Sequence, residues 1–176
     1  HIVVDGTGLA TSRKKYNKNC IVKNKTDKKG NEYQEYSTYV LEAKLVVGEM
    51  VFSIGSEFVE NEEENVTKQD CEINAFKRLA KKIKEEYPRL KIIIGADALY
   101  ASKTIMDICK ENGWKYIIRF KEGKMPTLYN EFKTIVAKEN ESNKANYEYV
   151  TNLDYQEEKV NIIKYTEKKE KTEFVY

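Results

Sequence analysis

KIIIGADALYA, residues 91–101, decides how the rest of the chain is read. Its three consecutive isoleucines, Ile92 to Ile94, predict a strand covered on both faces, because a half-buried strand alternates apolar with polar residues. The run ends at Gly95-Ala96-Asp97, where a central strand of an α/β sheet hands over to a helix. The carboxyl ends of such strands form the crevice in which ligands and metals bind. Near the start, Ile2-Val3-Val4 repeats the pattern: a β-branched run ends at Asp5, and the turn residues Gly6-Thr7-Gly8 follow. If the two strands are neighbours, Asp5 and Asp97 face each other across one crevice.

Composition narrows the chemistry. With 176 residues, 40% of them hydrophobic, the chain is long enough for one buried domain with a small appendage. Its 31 basic and 29 acidic residues nearly cancel to +2, so any nucleic-acid surface must come from local clustering. His1 is the only histidine, which excludes Ser-His-Asp and Cys-His catalysis and histidine-containing zinc motifs. What remains is carboxylate chemistry, and carboxylates are the hard oxygen ligands that suit magnesium or manganese. Cys20, Cys71 and Cys109 form no CxxC pattern and read as free thiols of a cytoplasmic protein. No apolar run approaches ~18 residues, so no membrane span is expected. The chain starts on His1 inside a strand-like run and stops in another, Glu173 to Tyr176; we expect a piece of a longer protein.

Taken in order, Ser12 to Tyr33 is rich in Lys, Asn and Gly and reads as a mobile surface loop. Tyr36 to Val47 alternates cleanly, Gly48-Glu49 suits a turn, and Met50 to Val59 returns, so a hairpin is expected. Thr67 with Asp70 suggests a capping box opening a helix to Tyr87, with Ile73, Phe76, Ala80 and Ile83 on its apolar face. Asp70 and Glu72 suit the helix N-terminus electrostatically, with an auxiliary place near the acid pair as the alternative. Glu57 and Glu60 read as solvated strand-end charges. After Asp97 a second helix capped by Ser102 runs to Gly113. Trp114 to Phe120 is the next strand, and Pro126 opens a third helix. Tyr100 and Trp114 are read as core. Tyr147 to Leu153, Val160 to Tyr165 and Thr172 to Tyr176 are strand-like. The expected division is residues 1–139 as the core and 140–176 as a β-rich insertion.

An acid-bearing strand, a hairpin, a helix and a parallel strand with a second acid is the element order of the ribonuclease-H-like fold. The fold class expected is therefore α/β, a mixed sheet with flanking helices and a C-terminal β-rich insertion. Two-metal phosphoryl transfer wants this arrangement, because ions ~3.5–4 Å apart are bridged and flanked by carboxylates.

The segments VVDGTGLATS, YVLEAKLV, SEFVEN, KQDCEINAFKRL, YPRLKIIIGADALYA and WKYIIRFKEG, in this order, resemble the catalytic core of bacterial insertion-sequence transposases of the DDE type. The resemblance covers roughly Ile2 to Phe132. It implies that Asp5 and Asp97 match the first two catalytic aspartates, acting as ligands of Mg2+ or Mn2+ at a two-metal site. It further implies DNA, as transposon ends and target, for partners, and a homo-oligomer in the full-length protein. The family's third acid is a glutamate that follows a mostly β insertion. The chain ends before any segment matching that motif, so the piece is expected to be catalytically weak or dead by itself. Arg13, Lys14, Arg119, Lys121 and Lys124 are the candidate phosphate contacts. A nuclease or resolvase on the same fold, and a non-catalytic DNA- or protein-binding module, are the alternatives.

Overall fold

The computed structural model describes residues 1–61, 68–139 and 147–165. They fall in two compact units, His1–Phe120 and Lys121–Tyr176. The first contains a curled mixed sheet with helices packed on it.

The first unit begins with a hairpin-like pair. β1 (Ile2–Ser12) runs antiparallel to the long β3 (Glu32–Val47), from Ile2 opposite Leu45 to Ser12 opposite Tyr36. The far edge of β3 carries two strands: β2 (Ile21–Thr26) along its first part and β4 (Met50–Val59) along its second. The other edge of β1 pairs in parallel with β5 (Ile93–Ala96), which pairs in parallel with β6 (Lys115–Ile118). Along its main path the sheet therefore runs β2-β3-β1-β5-β6, with β4 also on β3. Parallel strands need a crossover. Here α1 (Glu72–Glu86) connects β4 to β5, and α2 (Lys103–Glu111), preceded by a 3₁₀ turn at Ala98–Tyr100, connects β5 to β6. This is a mixed α/β sheet of the ribonuclease-H-like kind, as the element order led us to expect.

The core explains which face is covered. Ile2, Val4, Leu41, Ala43 and Ile94 point to one side, against Phe76, Leu79, Ile83, Ile105 and Cys109 of the helices. Gly55 on β4 lets α1 approach closely: a Cβ there would sit 3.1 Å from Leu79 Cδ1, tighter than packed carbon atoms tolerate. The opposite side differs from expectation. Val3 and Ile117, in register through Gly95, are 43% and 63% exposed, and Ile93 is half-buried. The isoleucine run is therefore covered fully on one face only.

Three local expectations are also corrected. Gly6-Thr7-Gly8 does not turn; β1 continues through it with a bulge between Gly8 and Ala10. The stretch expected as a loop from Ser12 holds β2, anchored by buried Cys20 and Ile21, and a tight turn in which Asp27 accepts the N–H groups of Lys29 and Asn31. Its lysines hid a strand held by ladder hydrogen bonds rather than by burial. Helix α1 starts after Cys71 with no side-chain cap, and Ser102 likewise stands at the N-cap of α2 without bonding by its side chain. Thr67 lies outside the described residues, and Asp70 is engaged elsewhere.

In the second unit, α3 (Pro126–Glu139) opens on its proline as expected and packs on β7 (Tyr147–Tyr155), which forms an antiparallel pair with β8 (Glu158–Tyr165). Thr172 to Tyr176 lies outside the described residues.

Candidate functional site: the acid crevice

The parallel register of β1 and β5 aligns Ile2 with Ile94, Val3 with Gly95 and Val4 with Ala96. Asp5 and Asp97 are the next residues of the two chains past that ladder. Asp5 is two residues from exposed Val3 and so shares its open face. Both carboxylates are exposed, and each spends one oxygen on local backbone. Asp5 Oδ1 accepts the Gly6 N–H at 3.0 Å, and Asp97 Oδ1 accepts the Leu99 N–H at 2.8 Å while capping the 3₁₀ turn. These bonds fix the side-chain directions and leave Oδ2 of each without a protein hydrogen bond among the described residues.

A third carboxylate arrives from α1. A Cβ on Gly6 would lie 2.7 Å from the Glu72 carboxyl carbon, so the missing side chain at position 6 is what admits Glu72 against β1 there. The Tyr100 hydroxyl donates to Glu72 Oε2 at 2.9 Å. Tyr100 itself is only 1% exposed, and its ring meets Phe76 edge-on at 5.8 Å and 66°. Burial pushes the Tyr100 hydroxyl well above its usual range, and the charges of Glu72, Asp97 and Asp5 push it further. All three carboxylates thus act on one buried hydroxyl, which stays a proton donor through the neutral range. Sequence alone ranked Glu72 as a helix-end charge. The signal that could have found it was a glycine directly after a strand-end aspartate, facing the start of the next helix.

Exposed strand-end aspartates, free of competing lysine or arginine ion pairs among the described residues, are the donor type that suits a hard divalent cation. Among those residues, no group of three or more His, Cys, Asp or Glu side chains is arranged to hold a metal ion. Glu72 is bound instead by the Tyr100 hydroxyl.

Arg119, exposed just past β6, donates its backbone N–H to Ala96 at 3.0 Å, which brings it to the strand end that bears Asp97. Arg13 and Lys14 follow the far end of β1 instead. Lys121 and Lys124 are exposed residues of the second unit. Glu57 is not a solvated charge. Burial alone would raise its carboxyl, but Lys82 and Arg78, one helical turn apart on α1, bond it and hold it below the usual range. Asp70 follows the same pattern: bonds from Arg78 at 2.8 Å and from the backbone outweigh burial. Arg78 also donates to the Phe58 carbonyl at 2.8 Å, so this network ties α1 to β4 and is structural.

Among the described residues no helix is long and apolar enough to cross a membrane. The family model for the transposase DDE domain, group 1, matches residues 54–173, well over half of the chain. The matched span includes Glu72 and Asp97 and begins after Asp5. Comparison with curated proteins gives no match.

Proposed function

We propose, from the premise that this chain belongs to the transposase DDE domain family, that it is the catalytic core of a transposase that cuts and joins DNA strands with divalent metal. The observation that supports this reading is the parallel register of β1 and β5, which runs to Val4 opposite Ala96, so that an aspartate follows directly in each strand. On this reading residues 1–139 form the core and 140–176 belong to a β-rich insertion, and the protein works in the cytoplasm as a homo-oligomer on transposon ends and target DNA.

Asp5 and Asp97 would hold Mg2+ or Mn2+ through the oxygens their backbone bonds leave over. When bound there, such ions stabilise charge on the phosphate and favour deprotonation of an attacking hydroxyl. In the first reaction water attacks phosphorus and the P–O3′ bond breaks, leaving a 3′-hydroxyl and a 5′-phosphate. In the second, that 3′-hydroxyl attacks a target phosphodiester in line, and the target's own 3′-oxygen leaves. No covalent protein intermediate is needed. The protein's part is positioning: the Gly6 and Leu99 amides orient the two aspartates, and the Tyr100 hydroxyl binds Glu72. Arg119, and Arg13, Lys14, Lys121 and Lys124, would contact DNA phosphates. With two aspartates as ligands, the chain by itself is expected to hold metal weakly and to cut slowly.

A crystal grown with manganese tests the site. An anomalous peak within ligand distance of both carboxylates, lost in Asp97→Asn, is expected; aspartates too far apart to share an ion would overturn the reading. Strand-transfer products from the full-length protein separate a transposase from a nuclease that only cuts, and a full-length protein with no metal-dependent cleavage would make this a non-catalytic module.

A further inference from the structure

Among the described residues β4 pairs only with β3, and no strand lies along its outer edge. The direction of its backbone groups follows from one bond. The Val46 N–H donates to the His1 carbonyl at 2.8 Å, on the β1 side of β3, and these directions alternate along a strand, so Leu45 and Val47 face β4. Their partners Phe52 and Met50 therefore face inward, and Val51 and Ser53 present their N–H and C=O groups outward. The bulge that follows, opposite Ala43 and Lys44, shifts the alternation so that Ser56 and Phe58 face out. At Phe58 the edge is closed, because Arg78 of α1 donates to its carbonyl at 2.8 Å. The free stretch is Met50 to Ser56.

This stretch lacks what keeps an edge solitary. Sheet edges are blunted by charged side chains, above all lysine, or by proline. Residues 50–56 contain neither. Met50, Val51 and Phe52 are instead consecutive apolar residues, 58%, 58% and 47% exposed, and Val47, opposite Met50, is 50% exposed. An edge of this kind accepts another strand.

A second copy of the same edge fits it. A two-fold axis brings like residues toward each other, so self-pairing demands an edge without charge. With the axis at Phe52, Val51 of each copy stands opposite Ser53 of the other, and every outward group of these residues finds a partner. Moving the axis to Val51 would set Ser53 against the turn at Glu49; moving it to Ser53 would set Val51 against Gly55, whose groups face β3. Only the Phe52 register satisfies both residues. It also places the two Phe52 rings in a cross-strand pair, with Val47 and Met50 of each copy on the same face. At about 75–100 Å² apiece, these half-exposed side chains and the strand edges approach the ~1,000 Å² in total at which specific interfaces begin, so the association is weak and reversible.

We propose that two copies of this chain associate through the outer edge of β4, antiparallel about Phe52, joining their sheets into one. The homo-oligomer of the transposase reading comes with no surface, and this edge supplies one. The association needs neither DNA nor metal.

The test is sedimentation of this chain without DNA or divalent metal, from about 5 to 200 μM. The mass should rise with concentration from that of one chain toward twice that, and Phe52→Lys, which sets like charges across the axis, should stay at one chain throughout with its circular dichroism unchanged. Cross-linking checks the register without relying on that variant's folding. In a Cys71→Ser background, which removes the exposed thiol, Phe52→Cys should give a disulfide-linked dimer under mild oxidation, because facing residues of such a pair lie about 4.5 Å apart at Cα. Ser56→Cys in the same background should not, since this register holds the two copies of position 56 about 26 Å apart. A chain that stays monomeric over the whole range would overturn the proposal. So would a folded Phe52→Lys that dimerises like the wild type, or cross-linking at position 56 as fast as at 52. A monomer that still binds manganese at Asp5 and Asp97 leaves the catalytic reading standing; a dimer with an empty crevice does the reverse.

Discussion

Replacing Tyr100 with phenylalanine isolates the contact that sets Glu72. The ring, its packing and its edge-on contact with Phe76 are retained; only the hydroxyl that donates to Glu72 Oε2 at 2.9 Å is lost. A hydrogen bond to a charged group contributes roughly 1.5–3 kcal/mol, and the variant also escapes the cost of burying a hydroxyl, so a net loss of about 1–2 kcal/mol is expected. For a chain of this length that lowers the unfolding midpoint by about 2–8 °C. Urea unfolding at neutral pH measures it, since the raised ionisation of Tyr100 keeps the hydroxyl protonated there. Glu72→Gln supplies the second edge of a double-mutant cycle. It keeps an acceptor for Tyr100 while removing one of the three negative charges that act on its hydroxyl, so it should cost little. The cycle should show a coupling of about 1 kcal/mol between positions 72 and 100. A Tyr100→Phe variant as stable as the wild type, with no coupling to Glu72, would refute the claim that the hydroxyl holds that carboxylate.

Two other outcomes follow from the ion-pair network and the thiols. Glu57 and Asp70 titrate below their ordinary 4.5 and 3.8 in the folded chain, so their contribution is present above those values and is lost as pH falls through the lower folded ones. Arg78→Met should therefore cost about 1–3 kcal/mol at neutral pH, toward the lower end because the guanidinium is partly exposed, and should flatten the loss of stability below about pH 4; parallel stability-against-pH curves for variant and wild type would contradict it. Cys71 is exposed while Cys20 and Cys109 are buried, and burial pushes the Cys109 thiol up to about 11. A thiol reagent should therefore modify one cysteine in the folded chain and all three in denaturant, with mass mapping to Cys71; native modification of Cys109 would show that its site opens.

The fold was legible where burial writes itself into composition. The alternation from Tyr36 to Val47, the apolar stripe from Ile73 to Ile83 and the isoleucines before Asp97 each became the expected element. It was illegible where pairing alone holds the backbone. Lys23 to Thr26 carries polar residues on both faces, so nothing in its composition separates a strand from a loop; only its partner, β3, does. Solvation was misjudged at Glu57 for a related reason: Arg78 and Lys82 looked like the wet side of a helix, whereas both turn toward β4.

The acid crevice divides in the same way. A strand-end aspartate is a local signal, and the adjacency of the strands that lead to Asp5 and Asp97 is legible from element order. Glu72 depends on three residues far apart in sequence: its own position, the absent side chain of Gly6, and the hydroxyl of Tyr100. The dipeptide Asp5-Gly6 shows why reading Gly6 as a turn residue concealed this. In a continuing strand the two residues face opposite sides of the sheet. Asp5 presents its carboxylate to the open face shared with Val3, and Gly6 gives up its side chain on the covered face, where the start of α1 comes down. One pair of residues thus admits a carboxylate to each side of the same strand end, and it does so only because β1 does not turn there.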